Sequence, residues 1–479
     1  MQRDMRDLKG ALDSVQRAVT MGLNLVGDHE ETASSYHNLG LVQCDMGDLK
    51  GGLDSLHRAA NMRSSVLGDH EDTASSFFKL GVVQRKAGDL KSALESVQES
   101  LRLRKDLLGD HPNTADSFHE QGTIHLAMGD VTSAVEGLQK AAEMNFNLRR
   151  DHINTAHSYY SLGIAQKKIK DHEEALDSLQ KAACMQSNLL GDHEHTASSY
   201  HNLGLVQRDM GDLKGALNSL QRAANMRLSV LGDHKDTASS FFKLGVVQKK
   251  VGDLEGALES VQVSLRLRKE LLGDYPNTAD SLYEQGILHC IMGDSKSAVE
   301  ALQKAADINF NFRRDHINTA RNCHSLGIAQ ELMGDQEGAL DSLQKAACMQ
   351  SDLLGVHEDT ACSYHKLGLV QRDMGDLKGA LDSLNKAANM RSNSLGNHED
   401  TASSYYELGV VQHGMGDLKR SLQSLKKALD MRTNLLGDHG DTTSSLNELR
   451  AVREKLSSRR SLFGKVFQRK NRHENNNKL

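Results

Sequence analysis

The chain has 479 residues, room for about three ordinary domains at ~150 residues each, yet it carries no Trp, two Pro and 4% aromatics, too few of these for a multidomain α/β enzyme. Its 38% hydrophobic residues, 40 Gly and 25% charged residues belong to a folded chain and exclude collagen and wholesale disorder. The net charge is −6, and ten Lys and Arg against two Glu in residues 450–479 leave −14 on residues 1–449, an acidic body that argues against general nucleic-acid binding.

The six cysteines (Cys44, Cys184, Cys290, Cys323, Cys348, Cys362) form no CxxC pair and are expected to be reduced thiols. No apolar run nears the ~18–20 residues that span a bilayer, and Met1-Gln2-Arg3-Asp4 opens no signal peptide. A soluble, cytoplasmic chain is expected.

Repeats organise the sequence. The triplet Gly-Asp-His, or a close variant, recurs at Gly27, Gly68, Gly109, Gly191, Gly232, Gly273, Gly355, Gly396 and Gly437, with Arg150 and Arg314 in the two gaps. A second series runs Gly40, Gly81, Gly122, Gly163, Gly204, Gly245, Gly286, Gly327, Gly368 and Gly409, and both step by 41 residues. Such a period means a solenoid, a propeller or an array.

In chain order, residues 1–30 read as a partial repeat, essentially a second helix. Gln2-Arg3-Asp4-Met5 matches Gln207-Arg208-Asp209-Met210, so the chain is expected to start inside a first helix. Residues 31–440 read as ten tandem repeats. In the repeat around 196–231, Ala197, Tyr200, Leu203, Gly204 and Met210 fall at helical spacing, and Leu213, Ala216, Leu217, Leu220, Ala223, Ala224 and Met226 form one stripe. Each repeat is therefore predicted to be a short helix followed by a longer one, with Asp236 as an N-cap. Gly211 is expected to separate the two helices, and Gly232 to end the second in a left-handed cap. Gly204, mid-helix, costs ~1 kcal/mol against Ala and implies close approach of the paired helix. Residues 441–456 read as a polar capping helix, where Arg450 replaces the mid-helix Gly. Residues 457–479 read as a basic, disordered tail. Its cations either address a nucleus or an anionic membrane, dock on the acidic body, or are simply solvated. A longer period is superimposed: Ser35–Gly40 recurs at Ser199–Gly204 and Asp151–Ala156 at Asp315–Ala320, both 164 residues on.

The pattern Tyr200-x2-Leu203-Gly204, then Ala216-x3-Leu220 and Ala223, resembles the tetratricopeptide repeat. The long second helix before Leu231-Gly232-Asp233-His234 and Thr237-Ala238 is similar to the kinesin light chain and nephrocystin branch, most closely at residues 107–115. The resemblance covers roughly residues 2–450 and implies an all-α, right-handed α-solenoid of two-helix repeats. Gln207 and Leu220 depart from the family pattern, and the family's groove-lining Asn is present only at Asn38 and Asn202.

No motif carries catalysis: GxGxxG, GxxxxGK[ST], GxSxG and HExxH are all absent. The Gly-Asp-His histidines, one per repeat, are too far apart to share a metal, since packed helices stand ~8–10 Å apart and a zinc–nitrogen bond is ~2 Å. They read as residues that pack or cap the inter-repeat turn. His193-x-His195 is a pair without a third ligand. The chain is thus expected to be a non-catalytic interaction scaffold without cofactor or metal. The alternative is the repeat region of a larger signalling or motor-adaptor protein whose catalytic or effector domain lies elsewhere.

Function must then reside on a surface. In a solenoid of helix pairs the first helices line the concave side. His201, Leu205 and Arg208 share one face of a first helix, and matching triples are Phe78, Val82, Arg85; Tyr160, Ile164, Lys167; Phe242, Val246, Lys249; and His365, Leu369, Arg372. The pattern breaks at His119, Thr123, Leu126 and at Tyr283, Ile287, Cys290. Aromatic or imidazole, aliphatic and cation at regular steps suit an extended acidic–hydrophobic peptide of a protein partner. The competing reading has the aliphatic residues packing on the neighbouring repeat and the cations merely solvated.

Overall fold

A computed structural model describes the backbone of residues 2–312 and 316–476, and the side chains of 8–312 and 316–459. Every regular element among these residues is an α-helix. The chain divides into two compact units, Met1–Val251 and Gly252–Leu479. The first holds α1 (Gln2–Leu25), α2 (Glu30–Asp45), α3 (Leu49–Leu67), α4 (Glu71–Ala87), α5 (Leu90–Leu108), α6 (Pro112–Met128), α7 (Val131–Arg149), α8 (Ile153–Lys168), α9 (His172–Leu190), α10 (Glu194–Asp209), α11 (Leu213–Leu231) and α12 (Lys235–Val251). The second holds α13 (Leu254–Leu272), α14 (Pro276–Ile291), α15 (Ser295–Phe312), α16 (Ile317–Met333), α17 (Gln336–Leu354), α18 (Glu358–Asp373), α19 (Leu377–Ser394), α20 (Glu399–Gly414), α21 (Leu418–Leu436) and α22 (Gly440–Asn476). Even-numbered helices are the first helices of the repeats. The two helices of a repeat are nearly equal: α10 has 16 residues and α11 has 19.

The two helix starts are built differently. Second helices open on an Asp whose carboxylate accepts from a backbone N–H three residues on, as Asp212 does from Gly215 at 2.9 Å. First helices open on the triplet histidine, not on the expected aspartate. His234 Nδ1 accepts from the Asp236 N–H at 3.2 Å, and His70, His193 and His357 do the same. Asp236 therefore sits inside the first turn, where its charge complements the helix dipole. The histidine wins because its ring nitrogen reaches the second amide of the helix from an extended backbone.

Within a repeat the helices close on the mid-helix glycine. A Cβ on Gly204 would meet Leu220 Cγ at 2.7 Å and the Ala216 carbonyl at 3.2 Å. Between repeats, Ala175, Leu179 and Ala183 of α9 bury against Leu203 and Val206 of α10. The same arrangement recurs at α17 and α18, where Ala339, Leu343 and Ala347 meet Leu367 and Val370. Burying one such Leu fully contributes ~1.5–3 kcal/mol. Successive first helices also touch one another, as α8 does α10 and α10 does α12, and α16 does α18 in the second unit. Among the described residues successive second helices show no comparable contact. Each unit therefore curves with its first helices on the inside.

The ends depart from expectation. α1 is one continuous helix from Gln2 to Leu25, without a break near Arg6, which stands where other repeats have a turn glycine. At the other end α22 does not stop at 456. It continues to Asn476 through the segment expected to be disordered. That segment contains no proline and carries four Arg and three Lys, both good helix formers. Met210, assigned to the apolar face, is instead 43% exposed at the end of α10.

The glycine turns have two exceptions. Gly232 adopts φ 59 and ψ −131, a region beyond the ordinary left-handed helix, and Arg150 is held at φ 44 and ψ −110 in the equivalent place. Lys170 takes φ 63 where other repeats use the inter-helix glycine. Non-glycine residues in such regions store of order 1–3 kcal/mol of strain each. Arg314 lies outside the described residues.

Candidate functional site

The predicted triples all stand on first helices, and most are half-buried rather than open. In the first unit, Phe78, Val82 and Arg85 stand on α4; Tyr160, Ile164 and Lys167 on α8; His201, Leu205 and Arg208 on α10; Phe242, Val246 and Lys249 on α12. In the second, His365, Leu369 and Arg372 stand on α18. Tyr160 and Ile164 pack against the α9–α10 core, so for these two the inter-repeat packing reading holds. The Phe78 ring is covered by the Arg104 guanidinium at 4.4 Å and by Lys79 at 5.7 Å, and Phe242 by Lys243 at 5.2 Å.

The cations mostly have partners within the chain. Arg85 Nε donates to Glu120 Oε1 of the next first helix at 2.5 Å. Arg372 makes the equivalent pair with Glu407 and also meets Asp373 at 2.8 Å. Burial raises the Glu407 carboxyl, against the opposing pull of Arg372. Lys167 Nζ donates to Asn202 Oδ1 at 3.5 Å, and Asn202 Nδ2 donates to the Tyr160 hydroxyl at 3.3 Å. Arg208 pairs with its neighbour Asp209 at 2.6 Å. Burial lowers the Lys167 ammonium, and the positive fields of Arg208 and Lys243 add to that against Asp209. Lys167, Arg208 and Lys243 stand half-buried on the successive first helices α8, α10 and α12.

His201 belongs beneath this surface. It is 8% exposed, and its Nδ1 lies 3.1 Å from the Ser240 hydroxyl of α12. Ser240 accepts from Arg227 Nη1 at 2.8 Å, and Arg227 also donates to the Asp236 carbonyl and to Ser198 Oγ, both at 3.1 Å. With the Ser240 oxygen taking the guanidinium N–H, its own O–H is available to His201 Nδ1 when the ring carries its proton on Nε2. Burial first, then the Arg227 charge, pushes His201 down to about 3. His37, Ser76 and Arg63 repeat the arrangement in the first unit, and His365, Ser404 and Arg391 in the second.

Sequence reasoning missed this arginine position entirely. It reads Arg63, Arg104, Asn145, Gln186, Arg227 and then Arg268, Asn309, Gln350, Arg391, Arg432. The order Arg, Arg, Asn, Gln repeats every four repeats, so the 164-residue period is visible inside the buried polar contacts. All ten residues are buried. The available signal was a polar residue interrupting an otherwise apolar stripe at one fixed place in every repeat.

Among the described residues no helix is long and apolar enough to cross a membrane, and no three His, Cys, Asp or Glu side chains, as they stand, are arranged around a metal ion. All six cysteines are free thiols, with Cys323 buried and its thiol pushed up to about 11 by burial.

Comparison with known proteins places this architecture. No curated protein matches the chain. Among solved structures, a putative kinesin light chain from Podosopora anserina with nearly identical TPR-like repeats is 22% identical over 42% of this chain and 97% of that one, with a TM-score of 0.38. BtubC (BKLC) from P. vanneervenii is 20% identical over 56% and 92%, with a TM-score of 0.39. The apo form of RapI is 15% identical over 76% and 98%, with a TM-score of 0.54. The Tetratricopeptide repeat family pattern matches residues 31–106, 113–185, 195–270, 236–309 and 359–434, well over half the sequence. With its stacked helix pairs, the chain is a member of the tetratricopeptide repeat family.

Proposed function

We propose that the chain is a non-catalytic, cytoplasmic scaffold whose inner, first-helix faces hold extended segments of partner proteins. The observation that carries this reading is the row of half-buried cations Lys167, Arg208 and Lys243 on the successive first helices α8, α10 and α12. Half-buried Leu205 and Val246 lie on those same helices. An extended segment with acidic residues near these cations and apolar side chains between them matches that surface. The −14 on residues 1–449 does not oppose it, because physiological salt screens charges beyond ~8 Å. Arg85, Arg372 and Arg208, already paired with Glu120, Glu407 and Asp209, contribute less charge than the bare sequence suggests. A position as the repeat region of a larger signalling or adaptor protein is compatible with the same surface.

The test is a peptide-library screen against the wild type and the double variant Lys167→Glu/Arg208→Glu. Partners should bind with micromolar-class affinity that weakens with salt, and the charge reversal should remove them while the circular dichroism spectrum is unchanged. Partners that all survive the reversal would place binding on the outer helices and refute the proposal.

A further inference from the structure

The last helix carries more chain than capping a repeat requires. In α22, Leu449 and Val452 bury against Leu418 and Leu425 of α21, with Leu456 partly buried beside them. Just beyond, Arg459 Nη1 donates to the Gly416 carbonyl, in the loop between α20 and α21, at 3.3 Å. The helix then continues unbroken to Asn476, so residues 460–476 add about 25 Å of backbone at ~1.5 Å per residue. First helices α18 and α20 stop after 16 residues each, whereas α22 has 37. An unbroken helix does not turn back on the helices it has passed, which removes the reading in which these cations dock on the chain's own acidic body.

The sequence of this extension has two sides. Leu462 and Phe463 are followed one helical turn later by Val466 and Phe467, so these four positions share one side of the helix. Lys465, Gln468 and Arg472 fall on the opposite side, and Arg460 and Arg469 at the two borders. Arg459 and Lys470 bracket the apolar side at its two ends, positions from which long cationic side chains reach past apolar neighbours to a charged surface. From Arg459 to Arg472 there are six Lys and Arg and no Asp or Glu.

We propose that residues 460–476 of α22 lie in the surface of a bilayer that carries anionic lipids. A helix with Phe and Leu on one side and Lys and Arg on the other settles at the headgroup boundary, its apolar side sunk among the acyl chains. Each Lys or Arg held near an anionic leaflet adds to the attraction, and four to eight of them in one cluster suffice to recognise such lipids. This extension supplies both signals, and stable attachment takes two. It lies on the bilayer and does not cross it, since no described helix is long and apolar enough to span one. Nucleic acid is the other polyanion that this charge would attract, but phosphate contacts use only the cations and leave the Phe463 and Phe467 side in water. The apolar side is what favours a lipid surface. Attachment here holds the last repeat at the membrane and does not depend on peptide binding at α8–α12.

The test is sedimentation of the full chain with vesicles of phosphatidylcholine alone and of phosphatidylcholine mixed with phosphatidylserine. The wild type should pellet with the mixed vesicles, less so as salt is raised, and should leave the neutral ones largely unbound. Two double variants separate the two signals: Phe463→Ser/Phe467→Ser removes the apolar side, and Lys465→Gln/Arg469→Gln removes two charges. Each should weaken binding to the mixed vesicles about tenfold or more. Both lie beyond Leu449, Val452 and Leu456, which pack on α21, so the thermal midpoint should stay at the wild-type value. A wild type that pellets with neither vesicle overturns the proposal, as does retention of a duplex RNA oligonucleotide in place of vesicles. A Phe463→Ser/Phe467→Ser chain that binds as tightly as the wild type overturns it too, because attraction by charge alone needs no inserted helix.

Discussion

Acid should weaken this fold well before ordinary carboxylates titrate, and His201 is where the effect can be isolated. In the folded chain its Nδ1 lies 3.1 Å from the Ser240 hydroxyl, and burial first, then the charges of Arg227, Lys167, Lys243 and Arg208, push it down to about 3. An unfolded histidine titrates near ~6.5. Because the folded value is the lower one, the unfolded chain takes up the proton first as pH falls. The stabilisation is therefore fully present above pH ~6.5 and is lost progressively toward pH ~3, at about 1.4 kcal/mol per pH unit. Between pH 7 and pH 5 this histidine alone accounts for about 2 kcal/mol, a conversion warranted by its 8% exposure. His365, also pushed to about 3, and His37, His119 and His324, each pushed to about 4, add to the slope. The variant His201→Phe installs the residue that Phe78 and Phe242 supply at the same position, and removes the titrating group. Urea denaturation of both proteins at several pH values, with hydrogen exchange of α10–α12 to localise the loss in a chain whose repeats unfold in parts, should show a shallower pH dependence for the variant by about 2 kcal/mol over that interval. An unchanged slope, or an NMR titration placing His201 near 6.5, would refute the argument.

Two further perturbations probe the repeat geometry. Gly204→Ala gains ~1 kcal/mol of helix propensity but drives a methyl to 2.7 Å from Leu220, a residue with 0% exposure, and to 3.2 Å from the Ala216 carbonyl. Overpacking of that kind costs ~1–3 kcal/mol, so the urea midpoint should fall and amides of α10 and α11 should exchange faster. Arg150→Gly relieves a side chain held at φ 44 and ψ −110, and should raise the thermal midpoint by an amount corresponding to about 1 kcal/mol after the entropy of the added glycine is subtracted. A lower midpoint would mean that the Arg150 side chain contributes more than its backbone strain costs.

The sequence by itself determined the helix pair and the close approach at Gly204, because each follows from spacing along a single repeat. A period of 3.6 and a glycine that must admit a neighbouring helix are local facts, and repetition makes them unmistakable. What a repeat shares with the next one was out of reach. The sequence shows Arg227, Ser240 and His201 as three unrelated polar residues, and only stacking reveals that they satisfy one another and withdraw His201 from the open face. Arg85 looked like a free groove cation until α6 placed Glu120 against it. Asp236 looked like the helix cap because it is the commoner capping residue, and the His234 ring nitrogen that accepts from the Asp236 N–H decided otherwise. Contacts within a helix follow from periodicity, whereas contacts between repeats depend on the angle and offset at which one helix pair meets the next, and the tertiary structure alone sets these.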